Sequence, residues 1–194
     1  MPVIDLTRPL SAATEPYRQE GYSDPPIAIT PWCGIAERGF AVSALALGTQ
    51  SGTHIDAPAH FAEGGPTLEA LAPEALLGPY TRIDLRRGQA LPVLPARAEP
   101  ILLLDARGGA RLSAAMLEAL IRLEAPLWVM AGEITVPGEA PLRFHERIAQ
   151  AGIYLVEDLA EPELADFPPR GEIIALPLAL QGTTGSPCRV LLRY

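Results

Sequence analysis

Ile101-Leu102-Leu103-Leu104, then Ser113-Ala114-Ala115-Met116-Leu117, then Leu127-Trp128-Val129-Met130-Ala131, decide the fold of this 194-residue chain. Two unbroken apolar runs of strand length, with a helical segment between them, are the mark of parallel strands buried on both faces. Ser113 is a good N-cap, so the spacing predicts a helix over 113–123. Further on, Pro141 can open a helix that runs to Gln150, Gly152 can end it, and residues 153–156 supply another strand. The second half therefore reads β-α-β-α-β, a parallel sheet backed by helices.

Working back from there, strands are expected over 80–85, 40–47, 27–30 and 3–6, with a short helix over 73–78 that has Pro73 at its start and Gly78 at its end. Leu91-Pro92-Val93-Leu94-Pro95 reads as a surface connection. No repeat, linker or low-complexity tract interrupts the chain, so residues 1–194 are read as one α/β domain, a mixed sheet with helices.

Composition excludes more than it selects. A net charge of −8 speaks against nucleic acid, which wants a basic patch. All 15 cations are arginine. Cys33 and Cys188 read as two unpaired thiols of a reducing compartment. No basic segment leads into an apolar core at the start, and the longest uncharged, mostly apolar run near the end, 173–180, is too short to span a bilayer. The expectation is a cytoplasmic protein with no membrane partner.

The chain has three histidines, and two fall in Gln50-Ser51-Gly52-Thr53-His54-Ile55-Asp56-Ala57-Pro58-Ala59-His60. Along an extended segment the even-numbered Gln50, Gly52, His54, Asp56 and His60 share a face. His54 and Asp56 would offer an imidazole and a carboxylate to one centre, a pair suited to zinc, manganese or ferrous iron. Gly52 would leave room for an ion or a substrate. Pro58 has no N–H for a ladder, so the strand should end there and turn, setting His60 beside the metal as a general acid or base. The third histidine, His145, precedes Glu157 by twelve residues, across the apolar run 153–156. Each residue has a plainer alternative. His54 could be a core imidazole bonded to Asp56, His60 a turn cap, His145 a solvated helix residue and Glu157 one surface acid among several.

The G-T-H-x-D-x-P-x-H string resembles the signature of the metal-dependent cyclase family, which includes the bacterial kynurenine formamidases. His145 and Glu157 fit that family's second segment. Ile4-Asp5-Leu6-Thr7-Arg8-Pro9-Leu10-Ser11 is similar to its opening strand, and Ala175-Leu176-Pro177-Leu178 with Gly185-Ser186-Pro187-Cys188-Arg189 to its closing hairpin. The resemblance implies a swivelling β/β/α architecture. It implies a first metal on His54 and Asp56, a second on His145 with Glu157 bridging, and His60 moving protons. It also implies one or two divalent ions per chain, zinc or manganese, a small-molecule substrate, and a homodimer or homotetramer. Three departures stand out. Gln50 takes the place of the signature's first histidine, a weaker ligand for a borderline metal. Tyr17 stands where formamidases carry a substrate-contacting tryptophan. The segment 132–137 lacks the Asp and Ser usual before the second histidine. The implied activity is metal-dependent hydrolysis of a small formamide, cyclic amide or lactone. The alternatives are a single-metal lactone or ring-opening hydrolase, and a non-catalytic member kept for binding or assembly.

Overall fold

The computed structural model describes residues 1–86, 92–162 and 164–194. In chain order the strands begin with β1 (Val3–Asp5), β2 (Arg18–Gln19), β3 (Tyr22–Ser23) and β4 (Ala28–Cys33), followed by the short helix α1 (Ile35–Arg38). Then come β5 (Val42–Ala46), β6 (His54–Asp56), β7 (Leu77–Asp84), β8 (Ile101–Arg111), α2 (Ala114–Ile121) and β9 (Leu127–Thr135). The last elements are α3 (Arg143–Gln150), β10 (Tyr154–Glu157), β11 (Glu172–Pro177) and β12 (Gly185–Arg193).

β7, β8, β9 and β10 lie side by side and parallel, as the apolar runs predict. β11 and β12 form an antiparallel hairpin joined to the far edge of β7. β6 pairs antiparallel with β10 on one side and with β12 on the other, which closes the sheet on itself. β1 adds to the outer edge of β12. The mixed α/β class is as expected.

Alternation along the parallel strands explains why they read as unbroken apolar runs. Ile101, Leu103, Leu127, Val129, Tyr154 and Val156 point into one core, shared with Ile55, Ile173 and Val190. Leu102, Leu104, Trp128 and Met130 point to the other, where Leu117 and Leu120 of α2 and Phe144 and Ile148 of α3 cover them. Both faces being dry, no polar residue is tolerated within the run. α2 begins as predicted, with the Ser113 Oγ accepting from the Met116 N–H at 3.2 Å.

Several expectations need correction. β8 and β9 run beyond their predicted ends, to Arg111 and Thr135, through an irregularity between Ala106 and Ala110. Gly108 and Gly109 there have φ of 80° and 82°, a kink that ended the pattern in sequence but not the strand. The helix expected over 73–78 is a single 3-10 turn, Pro73–Leu76. The strand expected over 40–47 does not lead into the main sheet. It is β5, which among the described residues pairs only with β4, as a separate ribbon. That ribbon is exposed on both faces, with Trp32 at 77%, Leu45 at 65% and Val42 at 44% accessibility. The connection expected over 91–95 begins outside the described residues; its Val93 is exposed.

A charge cluster stands at the carboxyl end of β7 and the middle of β8. Asp105, fully buried, accepts from Arg107 Nε at 2.7 Å and from Arg82 Nη2 at 3.0 Å, with Arg86 Nε at 3.6 Å. Arg86 also reaches Asp84 and Asp166. The same arginines donate to the carbonyls of Leu164, Ala165 and Phe167, strapping that segment to the sheet.

Candidate metal centre

Two adjacent strands present the acidic and imidazole groups. His54 and Asp56 sit two residues apart on β6, so they share a face, and Glu157 on β10 is the Cα partner of His54. His54 Nε2 lies 3.3 Å from Glu157 Oε1 and 3.5 Å from Asp56 Oδ1. One ligand atom from each of the three falls within 4.8 Å of the others. His145, on the first turn of α3, puts Nε2 3.1 Å from the other oxygen of Glu157, Oε2. Glu157 thus reaches one histidine with each oxygen.

The chemistry of these donor atoms suits a divalent cation. His54 Nδ1 lies 2.7 Å from the carbonyl of Gly52, which accepts only, so Nδ1 carries the proton. The neutral ring then aims its Nε2 lone pair at two carboxylates, an arrangement that only a cation or a second proton makes favourable. Asp56 Oδ2 is buried with no hydrogen-bond partner among the described residues. A buried, partnerless carboxylate oxygen beside an imidazole lone pair is what a cation satisfies. The residues fit a divalent ion.

The electrostatics point the same way. Burial works against charge on His54, yet the hydrogen bond to Glu157 and the attraction of Asp56 and Glu157 outweigh it and raise the imidazole to about 9. Burial pushes the Asp56 carboxyl up, despite the attraction of His54. Burial acts on Glu157 in the same sense, but its hydrogen bonds to His145 and His54 hold it below the usual carboxylate range. His145 is raised: burial opposes its charge, and Glu157 more than offsets that. Positive charge is drawn to the point where these four side chains meet.

The other expected residues are placed differently. Gln50 is not on the strand but in the turn before β6, so shared parity does not bring it to the centre. The turn does, and it sets Nε2 3.3 Å from Asp56 Oδ1 while Oε1 accepts from Thr49 at 2.5 Å. Here Gln50 orients Asp56 through its N–H. Gly185 of β12 allows this, since a Cβ there would meet Gln50 Nε2 at 2.5 Å. Gly52 leaves no room for an ion: a Cβ would strike Leu10 Cδ2 at 2.4 Å, and the residue serves a left-handed turn at φ 61°.

Pro58 does end the strand, opening the 3-10 turn Pro58–His60. His60 stands exposed at its end, Nδ1 3.5 Å from Thr184 Oγ1 and edge-on to Phe61 at 4.4 Å between centroids. Phe61 lies in turn 5.1 Å from the His145 ring, linking the two histidines. Tyr17 is exposed, its hydroxyl bonded to Gln19; among the described residues it shares no hydrogen bond or ring contact with the centre. Thr184, 124 residues from His60, carries no sequence signal that would have found it. A cavity of about 10 Å³ beside Asp56, Phe61 and His145 is the size of one water.

The family model described as "Putative cyclase" matches residues 4–131. Kynurenine formamidase of Bacillus cytotoxicus is 28% identical over 209 aligned residues, covering 98% of this chain and 96% of the relative. Kynurenine formamidase of Paracidovorax citrulli is 30% identical, covering 97% and 95%. Among solved structures, an isatin hydrolase bound to the product analogue thioisatinate superposes with a TM-score of 0.75 at 19% identity, covering 99% of this chain and 92% of that one.

Proposed function

As the chain belongs to the cyclase family, we propose that it is a metal-dependent hydrolase of a small formamide, cyclic amide or lactone, with residues 1–194 as one catalytic unit. The observation that carries this reading is Glu157, divided between His54 and His145 beside the partnerless Asp56 Oδ2. His54, Asp56 and Glu157 would hold one ion, zinc or manganese, and His145 with Glu157 offers a second position. A bound ion supplies Lewis acidity, polarising the scissile carbonyl and acidifying water.

The chain's own groups do the rest. His60 turns Nδ1 toward Thr184, which leaves Nε2 to take a proton from water and deliver it to the departing nitrogen or oxygen. Phe61 fixes the His60 ring edge-on and gives the mouth an apolar wall for an aromatic substrate. Gln50 and the Gly52 carbonyl hold Asp56 and His54 in orientation. With an amide N–H where an imidazole would bind, Gln50 favours a single ion and a lactone or ring-opening reaction as the second reading.

Assembly follows from the β4–β5 ribbon. A two-stranded ribbon wet on both faces is marginal alone. Between Ala28 and Ala46 the only charges are Glu37 and Arg38. At about 150–250 Å² per aromatic side chain, exposed Trp32 and Phe40 present on the order of 300 Å². That is over a third of the ~800 Å² one partner contributes to a standard interface, before the exposed Ile29, Val42 and Leu45 are added. The reading is a cytoplasmic homodimer joined through this ribbon; among the described residues no helix is long and apolar enough to cross a membrane.

The test is elemental analysis of the chain purified without chelators, together with a panel of an N-formyl aromatic amine, a cyclic amide and a lactone. One or two zinc or manganese ions per chain, lost in His54→Ala, with turnover of one panel member lost in His60→Ala, is the expected result. No bound or recoverable ion would overturn the hydrolase reading. Turnover indifferent to His60→Ala would remove that residue from the chemistry.

A further inference from the structure

The β6–β10 ladder stops at the rung that matters most. Glu157 faces His54, and the next rung would set Asp158 against Thr53. Asp158 instead takes a left-handed conformation, φ 56°, and the chain leaves the sheet. It runs on so that Leu159 enters the core and the Ala160 N–H reaches the Leu6 carbonyl at 2.8 Å. The chain therefore bends immediately after the carboxylate shared by both histidines.

One buried hydroxyl spans that bend. Thr53, 1% exposed, donates from Oγ1 to the Asp158 carbonyl at 2.7 Å and accepts the Arg8 N–H at 2.9 Å. Its own carbonyl is occupied elsewhere, accepting from the Cys188 N–H at 2.9 Å. Arg8 completes the clasp, with Nε on the Leu159 carbonyl at 3.0 Å. Hence the residue before His54 holds the residue after Glu157, where a ladder bond is unavailable because the backbone has turned away. We propose that Thr53 is a positioning residue: its hydroxyl fixes the Asp158 bend and thereby the approach of the Glu157 carboxylate to His54. This rests on the metal-centre reading for its functional consequence but not for its geometry.

Thr53→Val keeps the shape and removes the hydroxyl, orphaning the Asp158 carbonyl and the Arg8 N–H. Thr53→Ser keeps the hydroxyl. A crystal structure of metal-free Thr53→Val is expected to show Glu157 drawn away from His54, beyond the 3.3 Å of the parent contact. Chelator competition is expected to show zinc held about 10- to 100-fold more weakly than by the parent, as for loss of a supporting contact, with Thr53→Ser restoring it to within a few-fold. If Thr53→Val does not fold, Thr53→Ala carries both measurements, because water can enter the space and reach the orphaned groups.

An unchanged Glu157–His54 contact, with only the melting temperature lowered, would overturn the proposal and make Thr53 a packing residue. So would failure of Thr53→Ser to restore ion affinity. A parent chain that binds no zinc would defeat the hydrolase reading alone, since the displacement of Glu157 is read without the ion.

Discussion

Two buried groups of charge sit on the same sheet, and they are balanced in opposite ways. Around Asp105 the protein supplies its own cations: Arg82, Arg86 and Arg107 converge on Asp105, Asp84 and Asp166. Around Glu157 and Asp56 no arginine approaches among the described residues, only imidazoles and the Gln50 amide, and Asp56 Oδ2 is left without a partner. The first cluster sets three arginines against three aspartates and fastens segment 164–167, although Arg82 Nε itself has no hydrogen-bond partner among the described residues. The second faces only imidazoles, whose protons a cation from outside can replace. A buried ionic cluster is thus a functional candidate when its positive side is made of groups that titrate, and a structural one when permanent cations match it group for group.

The contrast is broken most severely by removing a ligand. His54→Ala or Glu157→Gln should abolish ion binding and lower turnover by at least about 10³-fold, equivalent to roughly 4 kcal/mol at the transition state. Elemental analysis and steady-state hydrolysis read both. Asp105→Ala should do the reverse, costing about 3–5 kcal/mol of stability by leaving buried guanidiniums unmatched. Ion stoichiometry should be unchanged; urea denaturation checks the first statement and elemental analysis the second.

A pH series separates the clusters more finely. The folded-state value of His54, about 9, lies above the ordinary 6.5. Its contribution is therefore fully present below about pH 6.5 and is lost as pH rises through about 9. For the metal-free chain this amounts to about 3 kcal/mol over that window, seen as a falling midpoint in urea. With zinc bound the imidazole is already deprotonated, so the slope should largely vanish. A metal-free chain equally stable at pH 6 and pH 9 would contradict the assignment. The smallest change expected is Gln50→His, which offers an imidazole in place of the amide and should tighten zinc by a few-fold, measured by chelator competition.

How much of this was legible in the sequence depends on whether neighbours along the chain carried the signal. The parallel strands were legible because dry faces on both sides forbid polar residues, and α2 because Ser113 caps it. His54 with Asp56 was legible because a two-residue spacing on a strand is a statement about direction. Gln50 was placed by that same rule and missed, since it reaches Asp56 from a turn. The open space expected at Gly52 is filled by Leu10, 42 residues earlier, and the partner of His60 comes from Thr184, far along the chain. The β4–β5 ribbon misled for a different reason. Apolar residues in a strand look alike whether they await a core or a partner.

The closure of the sheet has a consequence for the order in which the centre is assembled. β6 is held between β10 and β12, strands that follow it by roughly a hundred residues or more. Contacts of such sequence separation form late, after the entropy of the long intervening loops has been overcome. The local β7–β8–β9–β10 units can condense earlier, while the three-residue β6 waits as an unpaired segment. His54 therefore meets Glu157 only at the final closing of the ring, and the cluster of imidazoles and carboxylates is the last part of the molecule to come together.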